Sequence, residues 1–294
     1  MRFGRKYRGC VIFIVALVVS VAVVVATLFW GTESFTAKSQ GRSQDNRSST
    51  ALCVLAKEPH LEWVEFLHGD LATTFDVYFM VDNNDYDLEN DIKRYPQINF
   101  LQIPDDVCHE LGYVHVNSVW IEKTPIAWDK ALYYFAAHPT GKEYRHVWFV
   151  EDDVYLPTAN SITDLDAKYP DEDLICNASS INETGSLDGW NWWHEAKKHF
   201  ELPWSGGLMC VCRLSRPLLQ SVDDYATQHK RLVFIELFFA TLAQRNHLVV
   251  VNPEEFANVV WQATYDFHTI DPNRIIHPVK NMEDQKKLRA RLSS

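Results

Sequence analysis

The sequence lacks the excess of basic residues that a nucleic-acid-binding protein needs. Its 294 residues include 28 Lys and Arg against 39 Asp and Glu, which gives a formal net charge of −11. Binding to a phosphate backbone requires a basic surface, so we expect no nucleic acid as a partner. An acidic chain can instead recruit cations that help it to handle an anionic substrate. Solubility alone is the simpler explanation of such charge.

Cysteines spaced for zinc are also absent, which argues against a zinc-finger-like structural site. No internal repeat is visible, which argues against a solenoid or a propeller. Of the six cysteines, Cys10 lies in an apolar N-terminal run and five follow it. In an oxidising compartment, an odd number leaves at least one thiol free or paired between molecules. Cys210 and Cys212 alternate along a predicted strand, where they share a face but are too far apart to bridge each other.

An uncharged apolar run at residues 10–30 predicts a transmembrane signal anchor, because roughly 20 helical residues cross the hydrocarbon core of a bilayer. Residues 1–9 are basic and contain no acid, so the positive-inside rule makes them a cytosolic tail. This predicts a single-pass type II protein of a secretory-pathway membrane, with the remainder of the chain in the lumen. A cleaved signal peptide is the alternative, although its apolar region is normally shorter. Sequons at Asn46, Asn177 and Asn182 agree with lumenal exposure.

Beyond the anchor, residues 31–50 are polar and predict a flexible stem. The folded domain is expected at residues 51–282 and a charged C-terminal tail at residues 283–294. In the domain, short apolar strands alternate with helices, which is typical of a mostly parallel sheet flanked by helices. Strands are predicted at 51–56, 75–81, 98–103, around 147–156, and at 174–176, 208–212 and 248–251. Helices are predicted at 59–71, 125–137, 215–225, 233–243 and 282–292.

Three consecutive carboxylates, Glu151, Asp152 and Asp153, interrupt a run that is otherwise typical of a buried strand. Charged side chains are rarely buried unless they are paired or bind a metal. We therefore expect the triplet at the end of a strand, facing a polar cavity. Hard oxygen ligands of this kind suit Mn²⁺ or Mg²⁺, which in turn suit phosphates. A solvated acidic turn or a structural Ca²⁺ site is the alternative.

The segment from Val150 to Val154 resembles the Glu-Asp-Asp variant of the Asp-X-Asp motif of nucleotide-sugar glycosyltransferases with the GT-A fold. The short tail, anchor, stem and lumenal domain are similar to those of Golgi-resident members. The resemblance covers about residues 51–280. It implies a GT-A (Rossmann-like) α/β fold, a nucleotide-sugar donor, and a metal ion, Mn²⁺ or Mg²⁺, that bridges the donor diphosphate.

The resemblance also implies roles for single residues. Asp153, the last acid of the motif, would bind the metal, and Asp152 and Glu151 would contact the ribose or metal-bound water. His277 would be a further metal ligand, since several enzymes of this fold bring a C-terminal histidine back to the metal. Lys280, three residues on, could then contact the diphosphate. A purely structural histidine is the alternative.

Asp82 ends the second predicted strand. In open parallel sheets, ligands bind at the carboxyl ends of the strands, so Asp82 is expected near the acidic triplet. The resemblance implies a contact with the base or ribose of the nucleotide. An Asx turn that needs no ligand is the alternative.

Glu236 is the only charged residue in the apolar segment 232–239. A carboxylate in such surroundings needs a partner or a cavity, and burial would raise its pKa toward that of a useful general base. The resemblance implies that an acid near the start of this helix deprotonates the acceptor hydroxyl in inverting enzymes. A buried ion pair with Arg or Lys is the alternative, and Asp223 and Asp224 are reserve candidates for the base.

Aromatic residues predict a surface that binds a sugar. Trp192, Trp193 and Trp204 could pack against the apolar face of a pyranose. Gly206 and Gly207 could let the backbone approach a ligand closely. An aromatic core with a tight turn explains the same residues without a ligand.

The combined pattern predicts a metal-dependent hexosyl- or N-acetylhexosaminyl-transferase. It would move a sugar from a nucleotide-sugar, most plausibly a UDP-sugar, to a hydroxyl of a glycan or glycoprotein, with inversion if Glu236 is the base. A lectin-like or metal-binding, membrane-anchored carbohydrate-binding protein without catalysis is the alternative. A glycoside hydrolase is a third class, but it needs no acidic metal triplet.

Overall fold

Apolar runs of the central part of the chain form one sheet. The computed structural model describes residues 48–69, 71–116 and 124–292. Within them, a seven-stranded sheet has the order β3-β2-β1-β4-β6-β5-β7. The strands are β1 (Thr50–Ala56), β2 (Asp76–Val81), β3 (Asn99–Leu101), β4 (His146–Glu151), β5 (Leu174–Asn182), β6 (Trp204–Ser215) and β7 (Val250–Val251).

Helices follow most strands and cover the sheet. They are α1 (Leu61–His68), α2 (Leu71–Thr74), α3 (Glu89–Arg94), α4 (Asp105–Leu111), α5 (Ala127–Ala136), α6 (Asn160–Lys168), α7 (Trp193–His199), α8 (Arg216–His229), α9 (Ile235–Arg245) and α10 (Met282–Ala290). Short 3₁₀ turns lie at Gly141–Glu143 and Glu254–Phe256. The predicted α/β fold, a mostly parallel sheet flanked by helices, is confirmed.

The first half of the sheet is parallel. Every residue of β1 and β2 is buried, as expected for strands covered on both faces, which therefore have continuous apolar sequences. β1 pairs with β2 on one side and with β4 on the other, both in parallel. The carboxyl ends of these three strands consequently meet at one edge of the sheet, where Asp82 and the acidic triplet follow.

The second half of the sheet reverses direction. β6 is antiparallel to both β4 and β5, so its first residues lie at the same edge as the last residues of β4. Val150 pairs with Val211, and this register makes Glu151 and Cys210 the next cross-strand neighbours. Helix α9 packs against β6, which brings Glu236 to the same end of the sheet.

The C-terminal segment is part of the folded core. The sequence predicted a helix at 282–292 and a charged tail at 283–294; helix α10 is present from Met282 to Ala290, and it fully buries Gln285 and Leu288. Gln285 Nε2 donates to the Asp152 backbone carbonyl at 2.9 Å. The helix therefore supports the loop that carries the acidic triplet.

The predicted location in a secretory-pathway membrane is contradicted. Among the residues that the structure describes, no helix is long and apolar enough to cross a bilayer. The anchor predicted at residues 10–30 lies outside the described residues, as does nearly all of the predicted stem at 31–50.

No disulfide links the five described cysteines, which are all buried.

Candidate functional site

The acidic triplet lies at the carboxyl end of β4, as its sequence predicted. β4 ends at Glu151, and the Asp152 amide still donates to the Leu55 carbonyl of β1 at 3.1 Å. The side chains then diverge. Glu151 and Asp153 face His277, whereas the Asp152 carboxylate pairs with His60 at 3.1 Å. The triplet therefore contributes two carboxylates, not three, to the region around His277.

His277 is brought to the triplet by backbone pairing. The chain between Asp153 and Leu156 runs beside the segment from Ile276 to Val279: Tyr155 and Ile276 form an antiparallel bridge, and the Val279 amide donates to the Asp153 carbonyl at 2.7 Å. His277 Nε2 consequently lies 3.3 Å from Asp153 Oδ1 and 3.8 Å from Glu151 Oε2.

A backbone carbonyl fixes the orientation of the His277 ring on the side away from the carboxylates. Its Nδ1 lies 2.7 Å from the carbonyl of Val260. A carbonyl only accepts hydrogen bonds, so Nδ1 carries the proton and donates it. In the neutral ring, Nε2 then presents its lone pair to the carboxylates. A histidine that binds a metal through one ring nitrogen usually donates the N–H of the other to an acceptor such as this carbonyl.

The donor atoms around His277 fit a divalent cation. Asp153 Oδ1 is buried and, apart from the approach of the imidazole, has no hydrogen-bond partner among the described residues. A Glu151 oxygen, the Cys210 sulfur and a His277 nitrogen lie within 4.8 Å of one another. The second Glu151 oxygen, Oε1, accepts a hydrogen bond from Trp128 Nε1 at 2.7 Å, which fixes the carboxylate. Oxygen, nitrogen and sulfur donors of this kind suit transition metals.

Negative charge exceeds positive charge in this cluster. Burial and the negative charge of Asp153 raise the pKa of Glu151, although the Trp128 hydrogen bond opposes this. Burial lowers the pKa of His277, but hydrogen bonding to Asp153 and the nearby negative charge outweigh burial, so the net direction is upward. The site therefore attracts positive charge, which a proton on His277 or a metal ion can supply.

Asp82 is held by a buried lysine. Lys130 on α5 is almost fully buried, and its Nζ donates to the Asp82 carboxylate at 3.0 Å and to the Asp82 carbonyl at 2.5 Å. It also lies 2.9 Å from the Asp105 carboxylate. Asp82 lies at the carboxyl edge of the sheet, where it was expected. Lys280 is exposed, and its contact with the diphosphate stays a prediction.

Glu236 opens onto a cleft of about 810 Å³. Burial is the main reason why the pKa of Glu236 rises to about 7, and the charge of Glu151 adds to it. Within the described part of the chain, no Arg or Lys forms an ion pair with Glu236. The alternative role of Glu236, a buried ion pair, is therefore not supported there. The reserve candidates are engaged elsewhere: Asp223 accepts from Tyr113 at 2.7 Å, and Asp224 accepts from Gln220.

The aromatic residues divide between the cleft and the core. Trp192 lines the cleft and stacks on Phe234 with ring centroids 3.9 Å apart. Trp193 and Trp204 are only 5% and 3% exposed and stack on each other at 6.2 Å. The expectation that these two bind a sugar is corrected, because their apolar faces are already covered by the core.

The glycine pair also has a packing reason. A Cβ at Gly207 would lie 3.0 Å from the Asn177 carbonyl oxygen and 3.1 Å from Ala178 Cα, so the close approach of β5 and β6 leaves little room for a side chain there. Gly207 lines the Glu236 cleft, whereas Gly206 lines a separate cavity of about 270 Å³. Successive residues of a strand face opposite sides, and only Gly207 therefore remains a candidate for sugar contact.

Sequence reasoning missed three residues of the site. Identifying Cys210 requires the register between β4 and β6, and identifying Trp128 requires the position of α5. The third residue, Trp261, is 69% exposed and lies at the mouth of the Glu236 cleft. A signal existed for Cys210, which was placed on a strand facing the same way as Cys212. Its partner strand could not be identified from the sequence.

Comparison with known proteins gives weak likenesses. No protein-family model and no curated protein matches the chain. Among solved structures, mouse xyloside xylosyltransferase 1 matches with 11% identity and a TM-score of 0.36, over 69% of this chain and 85% of that one. The 4-diphosphocytidyl-2C-methyl-D-erythritol synthase of Anaerococcus prevotii matches with 10% identity and a TM-score of 0.42, over 85% and 98%. A nucleotide-diphospho-sugar transferase of Desulfovibrio desulfuricans matches with 12% and 0.36, over 70% and 80%.

Proposed function

We propose that this protein is a metal-dependent glycosyltransferase that uses a nucleotide-sugar, most plausibly a UDP-sugar, as its donor. A glycan or glycoprotein hydroxyl is the acceptor, and residues 51–282 form the catalytic domain. One observation carries the proposal: Glu151, Asp153 and His277 converge at the carboxyl edge of the sheet, and within the described part of the chain the buried Asp153 Oδ1 has no partner other than the imidazole.

Asp153 and His277, with Glu151 beside them, would hold the cation, Mn²⁺ or Mg²⁺. When bound, it supplies positive charge that stabilises the departing diphosphate. The chain prepares this role by holding His277 with the Val260 carbonyl and Glu151 with the Trp128 indole. Neither contact uses the atoms that face the cluster, so the donor atoms are positioned in advance.

Glu236 is the proposed general base. Its carboxylate takes the proton of the acceptor hydroxyl as the hydroxyl oxygen bonds to the anomeric carbon of the donor sugar. The bond from that carbon to the diphosphate oxygen breaks, and the nucleoside diphosphate leaves with the bonding electrons. A single displacement of this kind inverts the anomeric centre. A pKa near 7 suits a base that must be deprotonated at neutral pH yet still accept a proton.

The cleft beside Glu236 is the proposed acceptor site. Trp190, Trp192 and Trp261 line it, and Trp261 is mostly exposed. Aromatic faces at a cleft mouth suit the apolar face of a pyranose. The two buried tryptophans, Trp193 and Trp204, support this surface from the core.

Release of nucleoside diphosphate from UDP- and GDP-sugars tests the proposal. The full-length protein is assayed with Mn²⁺, with Mg²⁺ and with EDTA, in the presence of a panel of glycan acceptors. We expect turnover with metal only. Asp153→Ala should abolish metal-dependent donor binding, measured by calorimetry, while Asp224→Ala, an exposed acid outside the site, should behave as wild type. Turnover in EDTA, or no binding of any nucleotide, would refute the proposal, and sugar binding without turnover would favour a lectin.

A further inference from the structure

Cys210 lies against the carboxylates of the proposed metal site. Val150 of β4 pairs with Val211 of β6, so the side chains of Glu151 and Cys210 are cross-strand neighbours on one face of the sheet. The Cys210 sulfur belongs to the group of donor atoms, with Glu151 and His277, that lie within 4.8 Å of one another. Atoms that bind one ion at about 2.0–2.3 Å must lie within a few ångströms of one another.

The surroundings of Cys210 differ from those of the other described cysteines. Cys53, Cys108, Cys176 and Cys212 are completely buried, whereas Cys210 is 8% exposed. The carboxylates of Glu151, Asp153 and Glu236 are near enough for their negative charge to act on its sulfur. A cysteine that only fills the core needs no such neighbours. A cation would offset this negative charge, and a thiol that coordinates a metal loses its proton.

We propose that Cys210 is a further ligand of the cation held by Asp153 and His277, and that its sulfur makes the site select Zn²⁺ or Co²⁺ over Mg²⁺. The inference rests on the metal site of the proposed function. The sulfur–metal bond replaces the sulfur–hydrogen bond, and the proton passes to solvent. Thiolate and imidazole ligands suit zinc and related ions, whereas Mg²⁺ takes oxygen ligands. The mixed donor set therefore favours transition metals over the Mg²⁺ that the proposed function also allows.

Cobalt absorption tests this directly, because a sulfur–Co²⁺ bond gives a charge-transfer band in the near ultraviolet. Metal-free, full-length protein is titrated with CoCl₂ and with MgCl₂. We expect the band in the wild type and its loss in Cys210→Ser. The variant should also bind Co²⁺ at least about tenfold more weakly, the lower end of what loss of a supporting group costs a metal site, with little change for Mg²⁺. Cys212→Ser, on the same strand, is the matched control and should keep the band.

The outcomes separate the two proposals. Stoichiometric Co²⁺ binding without the band, or a band that survives in Cys210→Ser, overturns the role of Cys210 and leaves the metal site standing. If neither ion binds the wild type, the proposed metal site itself fails, and the inference fails with it. Circular dichroism checks that the variant folds. If Cys210→Ser does not fold, Cys210→Ala replaces it. The bands of the wild type and of Cys212→Ser then still show whether a cysteine other than Cys212 binds the ion.

Discussion

Replacing Glu236 with glutamine should make the protein more stable at pH 8 while it removes transfer. Burial raises the pKa of Glu236 to about 7, above the value of about 4.3 expected for an exposed glutamate in the unfolded chain. Between these two values the folded state binds more protons than the unfolded state, so stability falls as pH rises through this window. Glutamine resembles the protonated acid and carries no charge, and the variant therefore avoids this loss.

The magnitude follows from the size of the shift. Each pKa unit corresponds to about 1.4 kcal/mol, but Glu236 borders a solvent-filled cleft, and screening reduces the effect. We expect a gain of about 1 kcal/mol at pH 8, which corresponds to about 2–4 °C in Tm for a domain of this size. At pH 4, where both states hold the proton, the gain should disappear.

Thermal unfolding in EDTA at pH 4 and pH 8 measures this gain, with Asp224→Asn as an exposed control. Enzyme assays provide the second measurement. Loss of a general base lowers kcat about 10²–10⁴-fold, whereas calorimetric donor binding should not change. With a pKa near 7, the wild-type rate should rise about tenfold from pH 6 to pH 8 as the base loses its proton, and this rise should be absent in the variant. A variant less stable than wild type at pH 8, or one that retains transfer, would refute the reasoning.

Three further changes test other parts of the site. Asp153→Asn should abolish the stabilisation that saturating Mn²⁺ gives the wild type, which is about 2.7 kcal/mol of unfolding free energy at 100 times Kd and is seen as a rise in Tm; an unchanged rise in Tm would move the metal elsewhere. Gly207→Ala should destabilise the protein by about 1–3 kcal/mol in urea unfolding, since its Cβ would lie 3.0 Å from the Asn177 carbonyl oxygen; Gly69→Ala, whose Cβ would make only an ordinary contact with the Phe66 carbonyl oxygen at 3.8 Å, is the control. Lys130→Met should cost about 3 kcal/mol, because it leaves the Asp82 carboxylate without its buried partner; a neutral result in the same assay would contradict the pairing.

The parallel half of the fold was predictable because burial on both faces leaves a clear mark in the sequence. β1 and β2 are continuous apolar runs, and the observed strands at Thr50–Ala56 and Asp76–Val81 agree closely with the predicted 51–56 and 75–81. The position of the acidic triplet followed from the same logic, since parallel strands place their carboxyl ends at one edge.

The antiparallel half was less predictable. β6 extends from Trp204 to Ser215, but only 208–212 was expected, because its first residues include Ser and two glycines that have low strand propensity. Tertiary pairing with β5 overrides that preference. The same limitation hid Cys210, whose neighbour across the sheet depends on the register and not on any local pattern.

The tryptophans show a second limit. Trp192 and Trp193 are adjacent, yet Trp192 lines the cleft and Trp193 is buried. They lie where α7 begins, and a rotation of about 100° per residue separates neighbouring side chains on a helix. Helical phase therefore decides which ring a sugar could reach, and composition alone does not fix that phase.

The metal cluster and the cleft depend on one stretch of backbone. Asn177 Nδ2 donates to the Val259 carbonyl at 2.6 Å, the next carbonyl, that of Val260, accepts from His277, and Trp261 follows at the cleft mouth. An acceptor that contacts Trp261 therefore touches the residue next to the group that orients His277. The contact is made by a main-chain carbonyl, which every residue type has, so neither the sequence nor a side-chain substitution at Val260 reveals it. This part of the site is specified by the path of the backbone.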